Sequence, residues 1–223
     1  LTQNEVNKAI TVVASYTDGF GANESVTSSA TTSVVNVNDA PVGTVTISGT
    51  VTQGETLTAS NNITDADGMG TVSYQWFANG VEISGATGST YTLTQNEVNK
   101  AITVVASYTD ALGTAETVTS SATTSVVNVN DAPEGTVSIS GTVTQGQTLT
   151  ASNNITDADG MGTISYQWYA DGVLINGAVN STYTLTQNEV NKVITVKASY
   201  TDGEGTAETV TSSATTSDRK SDE

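Results

Sequence analysis

A 92-residue repeat is the feature that most constrains how this chain folds. The octapeptide Leu-Thr-Gln-Asn-Glu-Val-Asn-Lys begins at Leu1, Leu93 and Leu185, so its copies lie 92 residues apart. The two tryptophans, Trp76 and Trp168, recur at the same spacing. A unit of this length is too long for one turn of a solenoid and suits a small β-sandwich domain. The sequence therefore predicts tandem domains, each with its own hydrophobic core.

The sequence Asn-Asp-Ala-Pro marks the predicted domain boundaries. Proline lacks the N–H that a β ladder needs, and it forces the residue before it into an extended conformation. The boundaries define a partial repeat at residues 1–39, repeats at 40–130 and 131–217, and a polar tail at 218–223. The chain starts without a signal peptide or an initiating methionine, which favours a segment of something longer.

Within a repeat, apolar side chains alternate with a period of two, which indicates β-strands. In residues 101–108 the predicted inward side chains are Ile102, Val104, Ala106 and Tyr108. Val105, on the opposite face, becomes Lys197 one repeat later, whereas the inward positions stay apolar or aromatic. A lysine replaces a valine readily only on a face that water reaches. The second copy therefore supports the assignment of the inward face.

About seven strands in each repeat predict tandem immunoglobulin-like antiparallel β-sandwich domains, an all-β fold. In the first full repeat the predicted strands are 44–48, 55–60, 71–78, 81–84, 89–94, 101–108 and 116–127. The dipeptides Asn79-Gly80 and Asp171-Gly172 predict type I′ hairpin turns. Trp76 lies where the third strand of an immunoglobulin-like domain carries its buried tryptophan. We therefore expect Trp76 in the core.

Composition excludes several functional classes. The chain has no cysteine and no histidine, which removes disulfide frameworks, imidazole or thiolate zinc sites and Ser-His-Asp triads. Its formal net charge of −17 repels nucleic acids and anionic membranes and attracts cations. No apolar run approaches the ~20 residues that span a bilayer. We expect no enzyme, no nucleic-acid partner and no membrane insertion, with neighbouring repeats of the same chain as partners.

Calcium is the sharpest chemical hypothesis. In an immunoglobulin-like sandwich the B–C and F–G loops lie beside the linker that enters from the preceding domain. Aspartates, asparagines and backbone carbonyls in such loops supply the hard oxygen ligands that calcium prefers. The candidate ligands at the two junctions are Asn38, Asp39, Asp65, Asp67 and Asp110, and Asn130, Asp131, Asp157, Asp159 and Asp202, with Glu97 at the opposite pole of the preceding domain.

The same residues have a second interpretation without a metal. Asp, Asn and Gly are the residues that tight turns require, so Asp65-Ala66-Asp67-Gly68 also predicts an Asx-turn with nothing bound. A lone Asp-x-Asp pair does not discriminate between the two interpretations; its coincidence with the linker Asn38-Asp39 favours calcium.

Three segments resemble a known family. The residues 63–76 (Ile-Thr-Asp-Ala-Asp-Gly-Met-Gly-Thr-Val-Ser-Tyr-Gln-Trp), 91–95 (Tyr-Thr-Leu-Thr-Gln) and 129–133 (Val-Asn-Asp-Ala-Pro) are similar to the tandem Ig-like repeats of giant bacterial surface and RTX-type adhesins. The glycine-rich calcium nonapeptide of RTX proteins is absent. The resemblance therefore implies an extracellular extender region on a bacterial cell surface, rather than a secretion end.

The predicted junction also resembles that of cadherins. There an Asn-Asp linker, an Asp-x-Asp loop and glutamates of the preceding domain hold calcium. This chain departs from that pattern in the linker, where Asn36 and Asn128 stand at a position that is Asp in cadherins. It also departs at Glu55, which becomes Gln147 one repeat later.

The partial repeat leaves three outcomes open. Residues 1–38 carry only the last strands of a unit, so they would expose an apolar face and unpaired strand edges. The segment is a product of fragmentation, pairs with another copy of the chain, or reflects a repeat that begins at a different residue. The functional hypotheses follow from these outcomes: an adhesin extender, a filament subunit assembled by strand complementation, or a module that binds sugar or ice.

Overall fold

The computed structural model describes residues 1–217 and is built of β-strands. The strands are β1 (Val13–Thr17), β2 (Asn23–Thr27), β3 (Val45–Ser48), β4 (Thr56–Asn61), β5 (Ser73–Ala78), β6 (Val81–Glu82), β7 (Thr90–Thr92), β8 (Ile102–Thr109), β9 (Ala115–Thr119), β10 (Val137–Ser140), β11 (Thr148–Asn153), β12 (Ser165–Ala170), β13 (Val173–Leu174), β14 (Thr182–Thr184), β15 (Ile194–Thr201) and β16 (Ala207–Thr211). Short 3₁₀ turns cover Gln3–Glu5, Gln95–Glu97 and Gln187–Glu189. The predicted polar tail, 218–223, lies outside the described residues. Within residues 1–217 no helix has the length and apolar character needed to cross a membrane.

Two sheets make up each complete repeat. In the first, a three-stranded sheet of order β3-β4-β7 is accompanied by a four-stranded sheet of order β6-β5-β8-β9. In the second, the orders are β10-β11-β14 and β13-β12-β15-β16. All strand neighbours in these sheets run antiparallel. The predicted all-β, antiparallel sandwich architecture is therefore confirmed.

The chain divides into two compact units, residues 1–127 and residues from 128 onward, each with one core. In the first unit Trp76 of β5 is fully buried, and Leu57 of β4 and Val104 of β8 are buried in the same cluster. The Trp76 indole N–H donates to the carbonyl oxygen of Gly88 at 2.9 Å, so its polar atom is satisfied. Trp168 does the same in the second unit, at 2.8 Å from the Asn180 carbonyl. Both tryptophans are core residues, as predicted.

The predicted alternation holds along β8 and β15. The inward side chains Ile102, Val104, Ala106 and Tyr108 are buried. Val105, between them on the opposite face, is only half-buried, and so is Lys197 of β15. The structure therefore confirms that the lysine lies on the outer face.

The last strand of the repeat is shorter than the sequence pattern predicts. It ends at Thr119, whereas the pattern extends to Val127. Beyond Thr119, hydroxyl groups take over the role of backbone acceptors: Ser120 Oγ and Thr123 Oγ1 each accept an N–H of β8 at 3.0 Å. Side chains that compete with the backbone in this way interrupt a regular ladder. The prediction was wrong here because it counted apolar alternation and not this competition.

The hairpin turn after β5 has the geometry that its sequence predicts. Asn79 and Gly80 both have positive φ, at 48° and 77°, as a type I′ turn requires. Asp171 and Gly172 repeat these angles in the second unit, at 48° and 75°.

The partial repeat forms the hairpin β1–β2, and its side chains are exposed throughout both strands. Val12 is 67% exposed and Tyr16 is 59% exposed, whereas their counterparts Val104 and Tyr108 are 0% and 5% exposed. Nearly the same sequence is therefore core in a complete repeat and surface in the partial one, because strands β3, β4 and β7 supply the opposing sheet in the complete repeat.

Candidate functional site

The Asp-x-Asp loop is a turn held by its own first aspartate. The Asp67 N–H donates to Asp65 Oδ1 at 2.8 Å, and the Gly68 N–H donates to the Asp65 carbonyl at 3.2 Å. Gly68 has a φ of +90°, a conformation that costs glycine little. The predicted Asx-turn is therefore present in the loop.

A buried tyrosine ties this loop to the end of β8. The Tyr108 hydroxyl donates to Asp65 Oδ2 at 2.5 Å, and the Tyr200 hydroxyl donates to Asp157 Oδ2 at the same distance in the second unit. Burial raises the pKa of Tyr108, and the negative charges of Asp65, Glu116 and Asp110 raise it further. The carboxylates of Asp65, Glu116 and Asp110 therefore lie near this hydroxyl, at one pole of the sandwich.

Asp110 organises the neighbouring loop and keeps one oxygen unpaired. Its Oδ1 accepts the N–H groups of Leu112 and Thr114, both at 2.8 Å. These backbone hydrogen bonds, that of Thr114 first, hold the pKa of Asp110 below its ordinary value. The residue is only 5% exposed, and Oδ2 is buried without a hydrogen-bond partner. Asp202 Oδ2 is unpaired in the same way in the second unit.

The linker joins this pole through two hydrogen bonds. The Asp39 N–H donates to Asp67 Oδ2 at 2.8 Å, and Asn38 Nδ2 donates to Glu116 Oε1 at 2.7 Å. In the second unit the Asp131 N–H donates to Asp159 Oδ2 at 2.7 Å, and Asn130 Nδ2 donates to Glu208 Oε1 at 2.8 Å. The structure thus places the predicted linker residues against the predicted loops in both units.

Glu97 lies in a different environment from these residues. It is 5% exposed and closes a capping box, because its Oε2 accepts the N–H and the hydroxyl of Thr94 at 2.9 and 2.7 Å. Burial, followed by the charge of Glu97, raises the pKa of Tyr91 to about 12. The carboxylate of Glu97 is therefore engaged within its own turn.

The hydrogen bonds leave little room for a cage of carboxylates. Both oxygens of Asp65 and both oxygens of Asp67 accept hydrogen bonds. Across residues 1–217 no group of three or more acidic side chains is arranged to hold a metal ion. Any cation here would depend on the unpaired oxygens and on amide, carbonyl and water ligands.

The chain is similar to bacterial adhesin repeats. A Ca²⁺-stabilised adhesin that helps an Antarctic bacterium reach out and bind ice is 18% identical, with a TM-score of 0.33, over 94% of this chain and 56% of that one. A tetra-tandem repeat in the extending region of a large adhesion protein is 19% identical, with a TM-score of 0.30, over 96% and 57%. A 1.5-MDa bacterial ice-binding adhesin is 16% identical, with a TM-score of 0.32, over 95% and 74%.

The chain spans little more than half the length of the first two structures. No protein-family model matches it, and no curated protein matches it at a significant level. All three structures are under 20% identical to this chain.

Sequence reasoning missed three contributors to this pole: Glu116, Gln3 and Tyr108. Glu116 stands directly opposite Tyr108 in the β8–β9 register, so the two side chains share a face. The alternation Glu116-Val118 already placed a carboxylate on the inward face, and this signal was available. Gln3, whose Nε2 donates to Asp67 Oδ1 at 2.6 Å, carried no such signal.

Proposed function

We propose that this chain is an extender segment of a bacterial surface adhesin, which holds a distal binding domain away from the cell. The observation that carries the proposal is the repeated linker contact. In each unit the linker N–H, that of Asp39 or Asp131, binds an aspartate of the loop that follows it. A linker anchored in this way limits the orientations open to tandem domains. Its role is mechanical, and no side chain is assigned to catalysis.

The partners in this proposal are neighbouring repeats, and the place is the bacterial cell surface. The adhesin-like segments support a location outside the cell. A net charge of −17 keeps such a segment soluble and away from anionic surfaces.

Calcium is proposed as the ion that stiffens the junctions, because buried oxygens without partners recur in both units. Asp110 Oδ2 and Asn36 Oδ1 are such atoms in the first unit, and Asp202 Oδ2 and Asn128 Oδ1 in the second. A buried oxygen without a donor is costly, and a cation removes that cost. Asparagine and aspartate oxygens are ligands that calcium accepts, with backbone carbonyls and water completing its six to eight positions.

The calcium proposal predicts the response of a double variant, Asp110→Asn with Asp202→Asn. The asparagine side chain keeps one oxygen that accepts the loop N–H groups. An uncharged amide nitrogen replaces the unpaired carboxylate oxygen. For the unsubstituted chain we expect calcium at 100 times its dissociation constant to add about 2.7 kcal/mol of stability. That is roughly 11–22 °C in melting temperature for a domain of this size, well beyond the effect of magnesium. The double variant should lose this response in calorimetry.

Asp18→Asn is the matched control. Asp18 occupies the equivalent loop position in the partial repeat and accepts the N–H groups of Phe20 and Ala22 at 2.9 Å. Its substitution should leave the calcium response unchanged. Without calcium, the double variant should be no more stable than the unsubstituted chain, because the loop N–H groups favour the charged form of Asp110 and the substitution removes that charge. A calcium titration without heat or a change in melting would contradict the proposal.

A filament subunit is the second candidate, and the exposed face of the hairpin β1–β2 favours it. The segment 1–37 nearly repeats 93–129, the segment that completes the sandwich of the first full repeat. Where no other strands cover the hairpin, a second copy of the chain offers a sheet of matching shape. Exchange of one hairpin for the other would then link chains by strand complementation.

Val12→Asp tests this candidate by light scattering over a concentration series. Val12 is exposed in the hairpin, but its counterpart Val104 is fully buried, so an aspartate there would prevent exchange without disturbing the hairpin itself. We expect the unsubstituted chain to form polymers and the variant to stay monomeric. Val13→Lys is the control and should still polymerise, because Lys197 occupies the equivalent position in β15. An unsubstituted chain that is monomeric at every concentration would exclude the filament.

A further inference from the structure

In the turn Gln3–Glu5, at the start of the chain, Gln3 is the side chain that contacts a residue outside the turn. Glu5 is bound to Thr2, within the turn itself. Glu5 Oε2 accepts the Thr2 N–H at 2.7 Å and the Thr2 hydroxyl at 2.8 Å, which closes a capping box. Gln3 is the first residue of the same turn, and its amide is the group that reaches beyond the turn. It donates to Asp67, a residue 64 positions further along the chain.

Asp67 receives that contact in a buried setting. The residue is only 3% exposed. Its Oδ1 accepts Gln3 Nε2 at 2.6 Å, and its Oδ2 accepts the Asp39 N–H at 2.8 Å. Neither donor carries a charge. Asp65, the other carboxylate of the loop, is held within the repeat by the Tyr108 hydroxyl.

We propose that Gln3 is the recognition residue of a metal-independent latch, by which the turn Gln3–Glu5 of the partial repeat binds the Asp-x-Asp loop of the first full repeat. The latch is a hydrogen bond from a neutral amide to a buried carboxylate. Such a bond shifts the ratio of closed to open forms by about tenfold to a hundredfold. It is independent of the calcium proposal, since both oxygens of Asp67 are satisfied by N–H donors alone.

A neutral donor also makes the latch insensitive to salt. An exposed pair of opposite charges weakens as ionic strength rises, whereas a bond from an amide to a buried carboxylate is screened little.

The test compares Gln3→Glu with Asn4→Asp in the full chain, with EDTA present to remove calcium. Both substitutions add one negative charge to the same turn, and Asn4 is exposed. Hydrogen exchange of the Asp39 amide, measured by NMR, reports whether the linker remains bound to Asp67. We expect Gln3→Glu to raise the exchange rate at least about tenfold, because two carboxylates then face each other. Asn4→Asp should leave the rate unchanged, and exchange within β8 should be unaffected in both variants.

A reciprocal substitution separates a specific contact from a general effect of charge. Asp67→Asn alone should raise the Asp39 exchange rate, since it removes the carboxylate. Combined with Gln3→Glu it restores a donor and an acceptor with their roles exchanged, and we expect the rate to return to within about threefold of the original. Equal effects of Gln3→Glu and Asn4→Asp, or no recovery in the combined variant, would overturn the latch.

Discussion

Trp76→Ala is expected to destabilise the first full repeat by about 3–5 kcal/mol. Trp76 is fully buried, and its indole N–H is satisfied by Gly88, so the substitution leaves both a cavity and an unpaired carbonyl. A domain of this kind has only about 5–15 kcal/mol of stability in total. For a repeat of this length the loss corresponds to a fall in melting temperature of at least about 12 °C. Circular dichroism of the variant would measure it.

The same variant tests whether the repeats fold independently. Trp168 would be its only tryptophan, so fluorescence would report the second repeat alone. We expect the Trp168 transition to stay where it was, because each core consists of residues of one repeat. Val81→Ala is the control: Val81 is 70% exposed, and its substitution should cost less than about 0.5 kcal/mol. A Trp168 transition that falls together with the first repeat would contradict independent domains.

Gly70→Ala is expected to have the second large effect, through the backbone and not the core. An added Cβ at Gly70 would lie far inside van der Waals contact of the Thr109 carbonyl oxygen. Since that neighbour is backbone at the end of β8, relief requires the loop to move away from the strand. We expect a cost of about 1–3 kcal/mol or more, and weakening of the hydrogen bond from Tyr108 to Asp65. Thermal unfolding and the NMR signal of the Tyr108 hydroxyl would show both.

Gly19→Ala provides the comparison for Gly70→Ala. A Cβ at Gly19 would meet open space, and the equivalent residue one repeat later is Ala111. That substitution should leave melting unchanged. If Gly70→Ala also left the melting temperature unchanged, the close approach of the loop to β8 would have no role in stability.

Several features of the fold could be predicted from the sequence because they depend on neighbouring residues. The alternation along 101–108 identified the buried face, and Lys197 in the second copy identified the outer one. Asn79-Gly80 predicted its turn because few other residues adopt positive φ at both central positions. Trp76 was placed in the core because it lies where the third strand of an immunoglobulin-like domain carries its buried tryptophan.

The candidate site was only partly predictable. The loop aspartates and the linker were identified as one pole, and the structure places Asp39 against Asp67. The residue types did not predict which carboxylate oxygens lack a hydrogen-bond partner and could bind a cation. Both oxygens of Asp67 accept N–H donors, whereas Asp110 keeps a buried oxygen unpaired, although the sequence treats the two residues alike.

The sequence by itself determined the repeat length, the strand periodicity and the turns, because these follow from side chains within a few residues of one another. Only the tertiary structure decided the partners at the pole. Gln3 meets Asp67 across 64 residues, and Asn38 meets Glu116 across 78. Hydrogen bonds need donor and acceptor within about 3 Å. The residue type shows that a carboxylate can accept a hydrogen bond. Only the packing of distant loops determines which donor reaches it.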